Sequence, residues 1–214
     1  FPFLKVNLLC ANKNHKLLIK QTIIYKPKYI YLGDESKHSL LRTKLGSKIK
    51  ILNFEELKDY LIRSKSDFSI LAISGYKSLN FLEQIIKNTN NLGLVNKEAI
   101  VSAGHLFNKK KYFNQTNIFP IDSEHYSIFE FFKNKNKNPI NEVNKITLTA
   151  SGGPFYNKKY SDLKHIKFNE AIKHPKWKMG YKNSIDSATL VNKCLEVIEA
   201  HYLFNIPYNK IDVI

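Results

Sequence analysis

Two segments that lie well apart in the sequence carry the residues best suited to chemistry. One is Asp122-Ser123-Glu124, and the other runs from His174 to Glu196 as HPKWKMGYKNSIDSATLVNKCLE. Together they supply three carboxylates, which suit a hard divalent cation, and hydroxyl, amide and ammonium groups, which suit a phosphate. A stretch with Trp, Met and Gly in the second segment could fold over both ligands. The two segments therefore indicate an enzyme site.

The Asp122-Ser123-Glu124 segment follows the apolar run 118–121, which is typical of a strand reaching its end. Continued strand alternation would place Asp122 and Glu124 on one face, with Ser123 between them. Two carboxylates this close repel each other unless a cation or a proton lies between them, and ligation by oxygen alone favours Mg²⁺ or Mn²⁺ over zinc. The alternative is an acidic pair on a solvated turn.

The second segment predicts a helix that begins near Ser187. Ser184, Asp186 and Ser187 offer side chains that can cap a helix N-terminus, and a segment with apolar residues at helical spacing follows them. Those apolar positions are Leu190, Leu195, Ile198, Tyr202 and Leu203.

Asn192, Lys193 and Glu196 lie on adjoining parts of one surface of this predicted helix, because residues three or four positions apart are neighbours. Glu196 can then be a third carboxylate ligand. Ser187, Asn192 and Lys193 form a group near the positive helix end, where a dianionic phosphate is favoured. An ordinary surface ion pair between Lys193 and Glu196 is the alternative.

Two loops complete the candidate site. Ser151-Gly152-Gly153-Pro154 follows the strand-like run 146–149, so a hydroxyl group and flexible backbone amides could wrap an anion there; an ordinary turn is the alternative. The segment 174–180 contains the only Trp and the only Met of the chain, Trp177 and Met179. A large aromatic residue on such a loop is either a core plug or a lid that excludes water when a ligand arrives.

These segments as a set resemble the 1-deoxy-D-xylulose 5-phosphate reductoisomerase family, NADPH-dependent enzymes of the non-mevalonate isoprenoid pathway. The resemblance rests on several segments in the family's order and at about its spacing, whereas the first 90 residues match only loosely. The segments are LVNKEAIVSAG (94–104), FPIDSEHYSIF (119–129), LTASGGPF (148–155), HPKWKMG (174–180) and SIDSATLVNKCLEVIEA (184–200).

The resemblance implies a role for each matching residue. The divalent metal, Mg²⁺, Mn²⁺ or Co²⁺, would be held by Asp122, Glu124 and Glu196, which would be catalytic together with Lys97. Lys97 and Ser123 would hydrogen-bond the carbonyl and hydroxyl region of the substrate. Residues that would contact the substrate, chiefly around its phosphate, are Ser151, His174, Ser187, Asn192 and Lys193. Trp177 and Met179 would belong to a flexible lid over the substrate.

The resemblance also implies an NADPH site. Its contacts would be Asn12, Lys13, Asn14, Asn96, Glu98 and Gly180. The family opens with a strand and a GSTGSIG loop that carries the cofactor pyrophosphate, and this chain has no such segment. The chain starts at the family's second strand and stops at Ile214, where the family continues, so we expect it to be an internal piece of a longer protein.

The first 120 residues alternate strand-like and helix-like stretches, which indicates parallel crossovers in a doubly wound sheet. Expected strands are 5–11, 29–32, 49–52, 68–74 and 92–95, with helices such as 15–25, 54–62 and 79–87 between them. We therefore predict a Rossmann-like NADPH domain over residues 1–119, without its first strand, and an incomplete α+β catalytic domain over 120–214. The polar stretch 133–145 is expected to be an exposed loop.

Composition argues against several other classes of function. The net charge is +16, but Arg42 and Arg63 are the only arginines and no nucleic-acid module is evident, so a nucleic-acid partner is not expected. No apolar run approaches the roughly 20 residues needed to span a bilayer. Cys10 and Cys194 form no disulfide framework, which favours a reducing compartment. The resemblance implies a homodimer in a bacterial cytoplasm or a plastid stroma.

The resulting prediction is that the full-length protein converts 1-deoxy-D-xylulose 5-phosphate into 2-C-methyl-D-erythritol 4-phosphate, by a metal-assisted rearrangement and a reduction with NADPH. Two alternatives remain, and the first belongs to a different class of function. The chain could be a catalytically inactive remnant that binds a partner, or it could be part of a generic sugar-phosphate dehydrogenase that lacks the rearrangement.

Overall fold

A computed structural model describes residues 3–107, 116–133, 143–174 and 180–214. The chain divides into two compact units, Phe1–Lys65 and Ser66–Ile214. Trp177 and Met179, predicted to form a lid, lie outside the described residues, as does most of the predicted loop 133–145.

The first unit is a three-stranded parallel sheet in the order β1-β2-β3, with helices between its strands. Its elements are β1 (Leu8–Ala11), α1 (His15–Tyr25), β2 (Tyr29–Leu32), α2 (His38–Leu45), β3 (Lys50–Leu52) and α3 (Phe54–Arg63). Buried Leu18, Ile30, Leu32 and Leu41 form its core. Asn53 and Glu56 form a capping box at the start of α3, each side chain accepting a hydrogen bond from the other's backbone N–H.

The second unit begins with another parallel sheet, in the order β4-β5-β6. Its elements are β4 (Ser66–Leu71), α4 (Leu79–Lys87), β5 (Thr89–Leu94), α5 (Lys97–Phe107), β6 (Asn117–Pro120) and α6 (Ser123–Lys133). Leu92 and Leu94 of β5 are fully buried and pack with Leu71 and Ile100 in the core. Residues 97 and 123, where α5 and α6 begin, therefore come directly after the carboxyl ends of neighbouring parallel strands.

The remainder of the second unit pairs β7 (Ile146–Leu148) in parallel with β8 (Ile211–Val213). Three helices lie between these strands: α7 (Phe168–Ala171), α8 (Tyr181–Ala188) and α9 (Val191–Phe204). α9 packs against α5 and α6, and its Ala200 lies in a core with Leu148, Ile206 and Ile211. The packing of α9 therefore brings Glu196 towards two other residues of the candidate site, Lys97 on α5 and Glu124 on α6.

Parallel strands separated by helices were predicted, and both units confirm them. The strand 29–32 and the helices 15–25 and 79–87 have the predicted ends, and the other elements shift by one to three residues. The predicted domain boundary at 119/120 falls at the end of β6, a strand hydrogen-bonded to β5, while the compact units divide at Lys65. The functional division at 119/120 stays a prediction.

The crossing of α5 and α9 depends on Gly104, and we expect Gly104→Ala to lower the free energy of unfolding by about 1–3 kcal/mol. A Cβ atom at this position would lie 2.2 Å from Cδ2 of Tyr202, so the two helices or the Tyr ring must move. Urea unfolding of the complete protein measures the effect. Gly180→Ala is the matched control, because its φ is −62° and its Cβ would lie within 4 Å of no other atom in the part of the chain that the structure describes. Equal stability of the two variants would contradict the close approach.

Candidate metal and phosphate site

Asp122, Ser123 and Glu124 lie where β6 turns into α6. The prediction that strand alternation places the two carboxylates on one face is wrong. The Asp122 carbonyl accepts a hydrogen bond from the Tyr126 N–H at 2.8 Å, so Ser123 and Glu124 already lie in the first turn of a helix. A carboxylate is favoured at this end of a helix because the unpaired backbone N–H groups carry positive partial charge.

Lys97 is placed by the beginning of α5. The side chain of Asn96 is buried and caps this helix, accepting a hydrogen bond from the Ala99 N–H at 2.6 Å. Its amide group donates to the Ile73 carbonyl, also at 2.6 Å. Asn96, predicted to contact the nucleotide, thus has a structural role at the start of α5, and any contact with the cofactor stays a prediction.

Two helices, α8 and α9, replace the single helix predicted to begin near Ser187. That prediction is wrong because Leu190 adopts the left-handed conformation, with φ 62°, and separates α8 from α9. Ser184 and Ser187 lie within α8 and cap neither helix. The spacing of the apolar residues does not reveal this break, because a single residue with positive φ changes the direction of the chain without interrupting the apolar pattern.

The structure brings the three predicted metal ligands together. One carboxylate oxygen each from Asp122, Glu124 and Glu196 lies within 4.8 Å of the other two. Asp122 and Glu124 come from the start of α6, and Glu196 comes from the second turn of α9, where its side chain is 1% exposed. An all-oxygen donor set of this kind is the one that Mg²⁺ and Mn²⁺ prefer.

Two ammonium groups lie among these carboxylates. Lys97 Nζ is 2.7 Å from Asp122 Oδ2 and 4.0 Å from Glu196 Oε1. Lys193 Nζ is 2.9 Å from Glu124 Oε1 and 2.5 Å from Glu196 Oε2. It also donates a hydrogen bond to the Thr149 carbonyl at 2.7 Å. Lys193 therefore bridges two of the three candidate ligands.

The pKa values of the carboxylates differ according to their neighbours. Burial opposes ionisation of Asp122, but hydrogen bonds from His125 and Lys97 and the Lys97 charge lower its pKa to about 2. Burial raises the pKa of Glu196, and the opposing effect of Lys193 does not cancel it. Burial alone would lower the pKa of Lys193, but its contacts with Glu196 and Glu124 raise it. At Glu196 the effect of burial on the pKa therefore exceeds that of the nearby ammonium group.

A divalent cation fits this donor set. Among the described residues, two ammonium groups, those of Lys97 and Lys193, lie within 4.0 Å of the three carboxylates, so carboxylates outnumber ammonium groups in the cluster. Burial raises the pKa of Glu196 and so disfavours its ionised form, whereas a divalent cation beside it would favour that form. These observations support a metal site at Asp122, Glu124 and Glu196.

The residues predicted to bind phosphate lie on two loops and on the helices α8 and α9. Ser151 follows β7 and forms a hydrogen bond of 3.0 Å with His174 Nε2. Gly152 and Gly153 have φ of 84° and 64°, conformations that favour glycine. A Cβ atom on Gly153 would lie 2.9 Å from the Ser187 carbonyl oxygen, so this loop touches the end of α8.

Asn192 lies in the first turn of α9, and its amide donates to Glu196 Oε1 at 2.5 Å. A cavity of about 90 Å³ opens here, lined by Asn192, Lys97, Glu98 and Asp186 among others. Lys182 lies 2.6 Å from Glu98 and 2.5 Å from Asp186, and so joins two walls of this cavity. The cavity thus lies between predicted substrate contacts and a predicted nucleotide contact.

The other predicted nucleotide residues are exposed. Asn12, Lys13 and Asn14 follow β1 in the first unit, and Asn14 caps α1 by accepting a hydrogen bond from the Leu17 N–H at 3.1 Å. Gly180 directly precedes α8 in the second unit. Their contacts with a nucleotide stay predictions.

Sequence models of one family match both parts of the chain. The model for 1-deoxy-D-xylulose 5-phosphate reductoisomerase matches residues 3–104, and the model for the C-terminal domain of the same enzyme matches residues 118–204. The chain belongs to this family. The resemblance noted from the sequence is therefore confirmed, and the parallel-stranded fold agrees with it.

Curated reductoisomerases align with almost the whole chain. The enzyme of Persephonella marina is 42% identical over 211 residues, which cover 99% of this chain and 52% of that protein. The enzyme of Pelagibacter ubique is 41% identical and is aligned over 98% of this chain and 54% of its own length. The chain thus spans about half the length of the curated relatives it matches.

Solved reductoisomerase structures share the fold. A reductoisomerase crystallised with NADPH, fosmidomycin and magnesium superposes with a TM-score of 0.85 at 32% identity, covering 98% of this chain and 54% of that chain. The Zymomonas mobilis enzyme in complex with NADPH gives a TM-score of 0.83, also at 32% identity, with 98% and 53% coverage. Within the described residues, every helix is too short or too polar to cross a membrane.

Sequence reasoning missed two residues of the site, His125 and Glu199. Both side chains are fully buried, and His125 Nδ1 lies 3.1 Å from Asp122 Oδ2. The available signal was spacing, because His125 is three residues after Asp122 and Glu199 is three residues after Glu196. On helices such spacing places each of them beside a candidate ligand.

Proposed function

We propose that the complete protein containing this chain converts 1-deoxy-D-xylulose 5-phosphate into 2-C-methyl-D-erythritol 4-phosphate, using NADPH and a divalent cation. The observation that carries the proposal is the convergence of Asp122, Glu124 and Glu196, whose ligand atoms lie within 4.8 Å of one another. Family membership and solved relatives with NADPH and magnesium support it. A generic sugar-phosphate dehydrogenase would not require such a cluster.

Asp122, Glu124 and Glu196 hold the cation in this proposal. When bound, Mg²⁺, Mn²⁺ or Co²⁺ supplies charge stabilisation for neighbouring substrate oxygens while the carbon skeleton rearranges. Lys97 is placed 2.7 Å from Asp122, so its ammonium group can donate to a substrate oxygen at the edge of the cluster. The Ser123 hydroxyl, which donates to Glu124, is the second donor for that region.

The phosphate end of the substrate would bind away from the reacting carbons. Lys193 supplies charge, and Asn192, Ser151, Ser187 and His174 supply further hydrogen-bonding groups. Binding energy from this remote group can orient the rest of the substrate for reaction. NADPH would donate the hydride, with contacts proposed at Asn12, Lys13, Asn14, Asn96, Glu98 and Gly180. A homodimer and a location in a bacterial cytoplasm or plastid stroma complete the proposal.

Metal removal tests the function in the complete protein. With 1-deoxy-D-xylulose 5-phosphate and Mn²⁺ we expect NADPH oxidation with formation of 2-C-methyl-D-erythritol 4-phosphate, identified by mass spectrometry. A chelator should lower the rate by about 100-fold or more, because the three carboxylates cannot supply the missing positive charge. Added Mg²⁺ or Mn²⁺ should restore the rate. Reduction that is insensitive to chelation, or a product that is not rearranged, would contradict the proposal.

A further inference from the structure

Two buried ionisable side chains, His125 and Glu199, lie behind the candidate metal ligands and have no part in the proposed chemistry. Their side chains are 0% and 1% exposed. Burial of ionisable groups is costly unless they are paired and hydrogen-bonded, and well-packed apolar residues often replace buried ion pairs without loss of stability. A contribution to the stability of the fold therefore gives little reason for burying His125 and Glu199.

The His125 ring connects α6 to α9. Its Nε2 atom lies 2.9 Å from the backbone carbonyl oxygen of Glu196, and since a carbonyl oxygen can only accept, Nε2 is the donor. Its Nδ1 atom lies 3.1 Å from Asp122 Oδ2. The ring thus contacts two of the three candidate ligands: the side chain of Asp122 and the backbone of Glu196.

Glu199 approaches the His125 ring from a third side. Its Oε2 atom lies 3.4 Å from His125 Nδ1, and Phe204 stacks on the ring with an interplanar angle of 8°. The ring nitrogen that faces Asp122 therefore also has the Glu199 carboxylate beside it.

We propose that Glu199 is a positioning residue that, through His125, holds the Asp122 carboxylate and the Glu196 backbone in the arrangement that binds the divalent cation. The inference rests on the proposed function and adds a residue to its metal site. Residues that orient metal ligands in this way typically change metal affinity by 10- to 100-fold when they are replaced.

Mn²⁺ binding to the complete protein without substrate, followed by electron paramagnetic resonance, tests the proposal. Glu199→Gln keeps the shape of the side chain and removes its charge, and its Mn²⁺ dissociation constant should rise about tenfold. kcat should fall while the KM for NADPH stays unchanged. Glu130→Gln is the matched control, because Glu130 is a partly exposed residue of α6 that pairs with Lys133 at 3.3 Å, and its Mn²⁺ affinity should equal that of the wild type.

A double-mutant cycle tests whether Glu199 acts through His125. His125→Gln retains a donor for the Glu196 carbonyl and loses the donor that faces Asp122, so Mn²⁺ affinity should again fall about tenfold. The double variant should show no further loss, because both changes remove the same support. Additive losses would mean that Glu199 acts independently of His125 and would overturn the proposal.

The outcomes separate this inference from the proposed function. Failure of the wild-type protein to bind Mn²⁺ would overturn the metal assignment itself. Wild-type binding with unchanged affinity in folded Glu199→Gln would overturn only the role of Glu199. If Glu199→Gln does not fold, His125→Gln decides the question, and unchanged affinity in that variant overturns the proposal.

Discussion

Replacement of Glu124 by Gln in the complete protein is expected to lower kcat/KM by about 1,000-fold, a loss of roughly 4 kcal/mol of transition-state stabilisation. Glu124 belongs to the proposed cation site with Asp122 and Glu196, and its Oε1 atom lies 2.9 Å from the ammonium group of Lys193. The amide cannot carry the negative charge, so the cluster would bind a divalent ion more weakly. Steady-state kinetics over a range of Mn²⁺ concentrations measures the loss.

The control for Glu124→Gln is Glu130→Gln on the same helix. Both changes remove one carboxylate from α6, but Glu130 pairs only with the exposed Lys133 among the ion pairs that the described residues form. We expect its kinetics to match the wild type, since exposed ion pairs contribute little. Turnover of Glu124→Gln near the wild-type rate at low Mn²⁺ would show that Glu124 is not a ligand.

Replacement of Lys193 by Met should weaken binding of the phosphorylated substrate but should not weaken binding of Mn²⁺. Loss of a charged hydrogen-bond donor is worth about 2–3 kcal/mol, so the KM for the phosphorylated substrate should rise by roughly 100-fold. Mn²⁺ should bind at least as tightly as in the wild type, because the ammonium group that lies 2.9 Å from Glu124 and 2.5 Å from Glu196 no longer competes for them. Kinetics and a Mn²⁺ titration measure the two effects separately.

Lys133→Met is the matched control for Lys193→Met, since it removes an exposed ammonium group of the second unit that pairs with Glu130. Its substrate KM should stay within a factor of about two of the wild type. A Lys193→Met protein with an unchanged substrate KM would refute the phosphate contact. Weaker Mn²⁺ binding in the same variant would show that Lys193 supports the ligands instead of competing with the ion.

Local sequence patterns predicted most of the secondary structure of the first 95 residues. The helix His15–Tyr25 and the strand Tyr29–Leu32 have their predicted ends because period and turn residues are properties of the segment itself. The same local reasoning failed at Leu190, where one left-handed residue divides the predicted helix. It also failed at Ser123, where a helix begins in place of a continued strand.

The sequence by itself determined the residue types of the site, the family, and the alternation of strands with helices. Only the tertiary structure decided that Glu196 meets Asp122 and Glu124, that Lys193 bridges two of them, and that His125 and Glu199 lie buried behind them. The contacts of Lys193 with Glu124 and of His125 with Glu196 join residues 69 and 71 positions apart, and they arise from the packing of α9 against α5 and α6. Local spacing does not specify such packing, because it depends on the shapes of surfaces that exist only after the helices have formed.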